Sequence, residues 1–295
     1  MRVQMALPPG LEAGGRVAEW RPAPPRYVAL DVDGTLVREQ QIPSGRIRAA
    51  VTRLTATGVR VGLATGRMSA SADPIIATGA FTGPHVFHNG AVVTDASGAD
   101  LHVLGLSDDA VEGLLTFGRT RDDVSVEIYI GRTYLADRCD ARAAAHAELL
   151  GVRPSGRIAS AEDLAGSPAV KAVVVCFTPQ AAVETVAAVT ALGLAAGPAG
   201  SPATPELRYV NVTRAGVDKG SGIMAAATSI GVDAASMVAI GDETNDIAAL
   251  TLAGTGIAMG GSEPEVIAAA HLVAPTFEDD GAAVALEALM ALSRV

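Results

Sequence analysis

The sequence has 295 residues, 49% apolar and only 3% aromatic, with a formal net charge of −10. That length allows one large or two moderate domains with a sizeable core, and the excess of Ala, Val and Leu over aromatics favours close-packed helices on Val-rich strands. The acidic balance and the lack of a Lys/Arg cluster exclude nucleic acid and anionic membrane surfaces as partners, so an anionic substrate needs a local cation or dipole to hold it.

Residues 1–25 carry Pro8-Pro9-Gly10, Gly14-Gly15, Pro22, Pro24 and Pro25 without periodicity, and read as a flexible extension outside the folded unit. They lack the uninterrupted apolar stretch of a secretory signal. From Thr185 to Pro205 the chain is uncharged for 21 residues. Its apolar part runs only about a dozen residues before Gly197, Pro198, Pro202 and Pro205 interrupt it, too short for a bilayer. A soluble, cytoplasmic protein is expected. Cys139 and Cys176 stand far apart with no CxxC spacing and read as reduced thiols.

An alternation of strands and helices follows. Tyr27–Asp31 reads as a strand, Ser44–Thr57 as a helix and Val59–Ala64 as a strand ending at Thr65-Gly66. Ser69–Thr78 reads as a helix and His85–His88 as a short strand. Such alternation implies a parallel sheet with right-handed crossovers. After Asn89-Gly90 the pattern changes. Ala91–Thr94 and Leu101–Leu104 form a hairpin across Ser97-Gly98, then come helix Asp108–Thr120 and strands Val124–Ile130 and Thr133–Ala136. Helix Ala141–Leu150, strand Val170–Phe177 and helix Ala181–Leu192 complete an α+β module, and the Gly/Pro-rich Gly197–Pro205 reads as a linker. The first pattern then resumes with strand Leu207–Val212, helix Lys219–Ile230 and strand Met237–Ile240. Helix Glu243–Leu252, strand Gly256–Met259, helix Pro264–Ala270, strand Leu272–Ala274 and a helix from about Gly281 end the chain. The expected fold is α/β: a Rossmann-like parallel-sheet core over 26–91 and 207–295, interrupted by an α+β domain over 92–206.

Four clusters fall at strand ends or helix starts, where open parallel sheets place their sites. Asp31 and Asp33 are one residue apart and share a face where the first strand stops, and Gly34 lets the backbone turn towards an anion. Two like charges this close need a cation between them or a shared proton. Thr65, Gly66 and Arg67 put a hydroxyl and backbone N–H groups at the next strand end. Lys219 opens a helix behind a capping Asp218, in conflict with the helix dipole; an anionic partner would resolve that conflict, and an ordinary solvated lysine is the alternative. Asp242, Glu243 and Asp246, in a turn with Asn245, make a dense acidic site that a bound cation would render tolerable.

In this order the chain resembles the haloacid dehalogenase-like phosphatases, specifically the Cof-type branch. Their signature is matched by Asp31–Thr35, Thr65–Arg67, Lys219 and Gly241–Asp246, and further by His88–Ala91, Gly256–Met259 and Asp279–Gly281. Gly260-Gly261-Ser262 departs from the pattern usual after that methionine. The resemblance implies Asp31 as nucleophile, Asp33 as general acid and base, and Thr65 and Lys219 as holders of phosphoryl charge. It also implies Gly34, Gly66, Arg67 and Asn245 around the substrate, and Mg²⁺ held by Asp31, Asp33 (through its carbonyl), Asp242 and Asp246. The implied activity is Mg²⁺-dependent hydrolysis of a small phosphomonoester, a sugar phosphate or similar metabolite, through an aspartyl-phosphate. A phosphosugar mutase and a non-catalytic phosphometabolite sensor are the alternatives. The insert would be a cap contacting the leaving group; Glu127, Tyr129, Arg132, Tyr134 and Arg138 lie on its strand pair, and period-2 placement leaves open which face looks inward. No zinc site is expected, since the histidines sit singly, and a monomer or homodimer fits a small-metabolite enzyme.

Overall fold

The structure, a computed structural model, describes residues 7–38, 42–138, 140–200 and 204–292, without the side chains of 141–143 and 145. Cys139 lies outside the described residues. In chain order the elements are β1 (Glu12–Ala13), β2 (Tyr27–Leu30), α1 (Gly45–Thr55), β3 (Arg60–Leu63), α2 (Ser69–Ile76), β4 (His85–Phe87), β5 (Val92–Thr94) and β6 (Asp100–Val103). Next come α3 (Asp108–Arg119), β7 (Val124–Ile130), β8 (Thr133–Ala136), α4 (Ala141–Leu150), β9 (Gly156–Arg157), β10 (Ala169–Cys176), α5 (Pro179–Ala191), β11 (Leu194–Ala199) and β12 (Arg208–Arg214). The last stretch holds α6 (Lys219–Ser229), β13 (Met237–Gly241), α7 (Ile247–Leu252), β14 (Thr255–Gly260), α8 (Pro264–Ala269), β15 (Leu272–Thr276) and α9 (Gly281–Leu292).

The chain divides into two compact units: one takes the chain up to Gly66, Asp73–His102 and everything from Asp218, the other Arg67–Ala72 and Val103–Val217. The first is a Rossmann-like α/β domain. Its sheet runs β1-β15-β14-β13-β2-β3, parallel throughout except for β1. The strands are apolar on both faces, as a sheet covered by helices demands: every residue of β2 and β13 is buried. Helix α1 starts at Ser44, whose hydroxyl accepts the Ile47 N–H at 3.2 Å, and buries Ile47, Ala50, Val51 and Leu54. A small sheet β4-β5-β6 belongs to the same unit.

The second unit is α+β. Its sheet runs β11-β12-β10-β7-β8-β9, and α3 and α5 supply Val111, Leu114, Ala181 and Val189 to a core with Val126, Val174 and Val210 from the strands.

Three boundaries differ from the sequence expectation. The hairpin β5–β6, which the sequence pattern places in the insert, groups with the first unit up to His102. Strand β12, expected in the main sheet, instead pairs antiparallel with β10, because Val210 and Val212 complete the second unit's core. The expected linker at Gly197 is the outer strand β11, with Pro198 opposite Val210; a proline is tolerated there because an edge strand has one unpaired side.

Residues 7–25 likewise differ from a free extension. β1 pairs with β15, the Gly14 and Arg16 N–H groups donate to His271 and Ala270 carbonyls at 3.0 and 2.9 Å, and Trp20, 2% exposed, donates to Thr255 Oγ1 at 3.0 Å. Glycine is required here by close approach: a Cβ on Gly14 would lie 2.5 Å from the Ala270 oxygen. A segment anchored by glycines and two apolar residues, Leu11 and Trp20, shows no periodicity to read.

Candidate active site

Leu30, the last residue of β2, stands opposite Ile240 of β13 and Leu63 of β3. Asp31 N–H continues the ladder to the Ile240 carbonyl at 2.9 Å, and Ala64 N–H to Leu30 at 2.7 Å. Asp31, Thr65 and Asp242 therefore leave the sheet beside one another at its carboxyl end. Gly34 adopts φ +83°, and a Cβ there would come within 2.0 Å of Asp242 Oδ2. The glycine thus lets one strand's carboxylate lie against the other strand's loop. Thr35 holds that carboxylate, its hydroxyl donating to Asp242 Oδ1 at 2.8 Å.

Lys219 is the first residue of α6, behind Asp218, whose side chain accepts the Ser221 N–H at 2.7 Å. The conflict of a lysine with the helix dipole is resolved by its partners. It is 1% exposed, and its Nζ donates to Asp31 Oδ1 and to Asp246 Oδ1, both at 2.6 Å. Asp246 Oδ2 in turn accepts the Asp242 and Glu243 N–H groups, each at 3.0 Å. A Cβ on Gly241 would lie 2.3 Å from the Asp246 carboxyl carbon, so the bend depends on that glycine.

The charges do not balance. Burial pushes the Asp31 carboxyl well above its ordinary range, with Asp246 and Asp242 adding to the shift and Lys219 opposing it. Asp242 is pushed up to about 6 by burial, against its bond from Thr35, with Asp246 and Glu243 adding to the rise. Burial also raises Glu243, helped by Asp246 and Asp33. Lys219 is pulled down by burial, but Asp246 and Asp31 outweigh that and hold the ammonium above its ordinary value. Asp31, Asp242 and Asp246 each bring a carboxylate oxygen within 4.8 Å of the others. Three hard oxygen donors around one ammonium fit a divalent cation of the Mg²⁺ type. Both oxygens of Asp246 are engaged by Lys219 and the two amides.

Asp33 is exposed on the loop, and its carboxylate is not among the three. Thr65 is buried, its N–H donating to Val86 at 2.9 Å and its carbonyl accepting from Asn89 N–H at 3.1 Å. Gly66 packs against the Asn89 amide. Arg67 donates to the Ser71 carbonyl at 3.4 Å, and Asn245 is exposed in the turn Thr244–Asp246. Sequence reasoning gave Thr35 no role, though it stood in the Asp31–Thr35 run; a hydroxyl two residues past paired aspartates was the available signal.

The profile of the haloacid dehalogenase-like hydrolases matches residues 28–286, and the chain belongs to that family. It is 28% identical over 244 residues to the HMP-PP phosphatase of Cronobacter sakazakii, covering 82% of this chain and 87% of that protein. Its fold is similar to that of BT1666 from Bacteroides thetaiotaomicron, described among phosphatases of the superfamily, with a TM-score of 0.76 and 22% identity over 92% of this chain and 96% of that one. It is also similar to the subclass IIB sugar phosphatase BT4131, with a TM-score of 0.75 and 21% identity over 89% and 98% of the two chains.

Proposed function

We propose that this member of the haloacid dehalogenase-like hydrolases is a Mg²⁺-dependent phosphatase that cleaves a small phosphomonoester through an aspartyl-phosphate on Asp31. The observation that carries the reading is Lys219, buried and shared at 2.6 Å between Asp31 and Asp246 within a group of three carboxylates. The names of its relatives, an HMP-PP phosphatase and a sugar phosphatase, support a small phosphorylated metabolite as substrate.

Lys219 bonds one Asp31 oxygen, favours the ionised form against the effect of burial and leaves the other oxygen to meet phosphorus. That oxygen attacks in line; the new O–P bond forms as the bond from phosphorus to the leaving oxygen breaks, and Asp33 gives its proton to that oxygen. Asp33, now a carboxylate, takes a proton from water whose oxygen attacks phosphorus. The Asp31–phosphorus bond breaks, and inorganic phosphate departs with Asp31 restored. Exposure of Asp33 suits a group that meets first substrate and then water. Held by Asp31, Asp242 and the Asp33 carbonyl, Mg²⁺ would neutralise phosphoryl charge. The Thr65 hydroxyl and Gly34 and Gly66 N–H groups would bind the phosphoryl oxygens, with Asn245 at the substrate's edge. Phosphoryl transfer depends mainly on such positioning and charge neutralisation.

The test is phosphate release from a panel of sugar phosphates, other small phosphomonoesters and p-nitrophenyl phosphate, with Mg²⁺ or with EDTA, in wild type and Asp31→Asn. Metal-dependent release that the substitution removes supports the reading. Silence across the panel from a folded, metal-loaded protein overturns it.

A further inference from the structure

His88, Asn89 and Gly90 lie in succession at φ +53°, +54° and +103°, between β4 and β5. Three consecutive left-handed residues, two bearing a Cβ, persist only where the surroundings over-determine them. The surroundings here are two parts of the candidate site. On one side, Asn89 N–H donates to the Thr65 carbonyl at 3.1 Å, and its side-chain amide lies against Gly66, where a Cβ would come 2.9 Å from Oδ1. On the other, Gly90 lies against the start of α6. A Cβ on it would meet the Asp218 carbonyl oxygen at 2.0 Å, and a Cβ on Gly222 would come 2.7 Å from the Gly90 Cα. Asn89 Oδ1 is buried and has no hydrogen-bond partner among the described residues. An unsatisfied amide and a strained backbone in one short loop are unfavourable features that local structure does not require; a four-residue hairpin connection has unstrained alternatives.

We infer that His88–Gly90 is a positioning wedge that sets the separation between the Thr65–Gly66 loop and the Lys219 end of α6, with Asn89 as its positioning residue. The inference rests on the phosphatase reading, since it makes the wedge a determinant of where Thr65 and Lys219 meet a phosphoryl group. Asn89 tolerates the left-handed conformation its place requires, and its amide fills the space that the missing Cβ of Gly66 leaves. The two residues are thus a matched pair.

That match supplies the test. Gly66→Ala drives a Cβ into the Asn89 amide and is expected to lower kcat on p-nitrophenyl phosphate at least tenfold. Asn89→Gly, which keeps the backbone and removes the amide, lowers it only severalfold. The double variant, with the obstruction gone, returns from the Gly66→Ala level to that of Asn89→Gly. A second pair covers failure of Gly66→Ala to fold: Asn89→Ala lacks the amide as Asn89→Gly does but resists positive φ, and is expected about tenfold below it. Inorganic phosphate affinity, measured calorimetrically with Mg²⁺ in the same proteins, should follow the same order. Gly66→Ala without effect, a double variant no better than it, or equal Asn89→Ala and Asn89→Gly would each overturn the wedge. An inactive wild type removes the phosphatase reading instead, and the phosphate affinities then decide the wedge alone.

Discussion

Each unit buries a charged cluster, and the two are built on opposite terms. In the α/β unit one ammonium, Lys219, faces Asp31 and Asp246, and the Asp242 and Glu243 carboxyls are raised as that of Asp31 is. In the α+β unit Glu127 has both oxygens 2.9 Å from His146 Nδ1, and Oε2 also accepts the Tyr129 hydroxyl at 2.9 Å. Lys171 lies 4.8 Å over the Tyr129 ring and donates to Asn211 Oδ1 at 3.2 Å, and Tyr129 stacks on Tyr134 with centroids 5.0 Å apart. Among the described residues the second cluster sets one carboxylate, Glu127, against the Lys171 ammonium, the His146 ring and the Tyr129 hydroxyl, so it carries no excess of carboxylates. The first has an excess of negative charge that its own residues do not cancel. Burial is common to both; imbalance is what marks a place for a cation and a reacting group.

The strongest way to break this contrast is Asp31→Asn, which should lower turnover by at least about a thousandfold while the protein stays folded, as loss of a nucleophile does. Near-normal release would make the first cluster structural like the second. Lys219→Met comes next: uncompensated buried carboxylates should reduce stability in urea by about 3–5 kcal/mol in EDTA. A loss under 1 kcal/mol would mean the carboxylates are not held ionised by this lysine.

The metal response should separate the clusters directly. Mg²⁺ at about a hundred times its dissociation constant adds roughly 2.7 kcal/mol of stability. Asp242→Asn should abolish that gain, and in EDTA should equal or exceed wild type, because it removes a repelling charge. An undiminished Mg²⁺ shift in the variant would put the ion elsewhere.

The second cluster has its own pH signature. Burial pulls Lys171 down to about 8, opposed by Glu127, from 10.5 in the unfolded chain. Between those values the unfolded chain holds more protons, so the penalty is full below pH 8 and fades as pH rises. Wild type should gain about 2 kcal/mol between pH 8 and 9.5 relative to Lys171→Met, with tyrosine ionisation kept out of the window. Parallel stability profiles would show Lys171 to be solvated. The smallest effect expected is a loss of about 1 kcal/mol in Tyr129→Phe, insensitive to Mg²⁺; a Mg²⁺-dependent loss would tie this cluster to the metal.

Most of the first cluster was readable as sequence because its residues sit at defined points of short motifs. An apolar run ending in Asp31, a helix opened by Lys219 and a strand ending at Gly241-Asp242 are local patterns. The second cluster was not readable. Glu127 and Tyr129 come from β7, Lys171 from β10 and Asn211 from β12, and which sheet face they share depends on pairing registers such as Glu127 opposite Val173. Strand β12 illustrates the same limit: its Val-rich alternation suits either sheet, and only the gap beside β10 decides between them.

By itself the sequence determined the family, the α/β core and the identity of the charged residues, because strand and helix periods and strand-end motifs are properties of neighbours along the chain. The tertiary structure decided the rest. It showed that Asp246 supports Lys219 with one oxygen and two amides with the other, that Thr35 holds Asp242, and that residues 7–25 close the β15 edge. It also paired Asn89 with Gly66. Each of these depends on atoms brought together from distant parts of the chain, at separations set by packing, which no local pattern encodes.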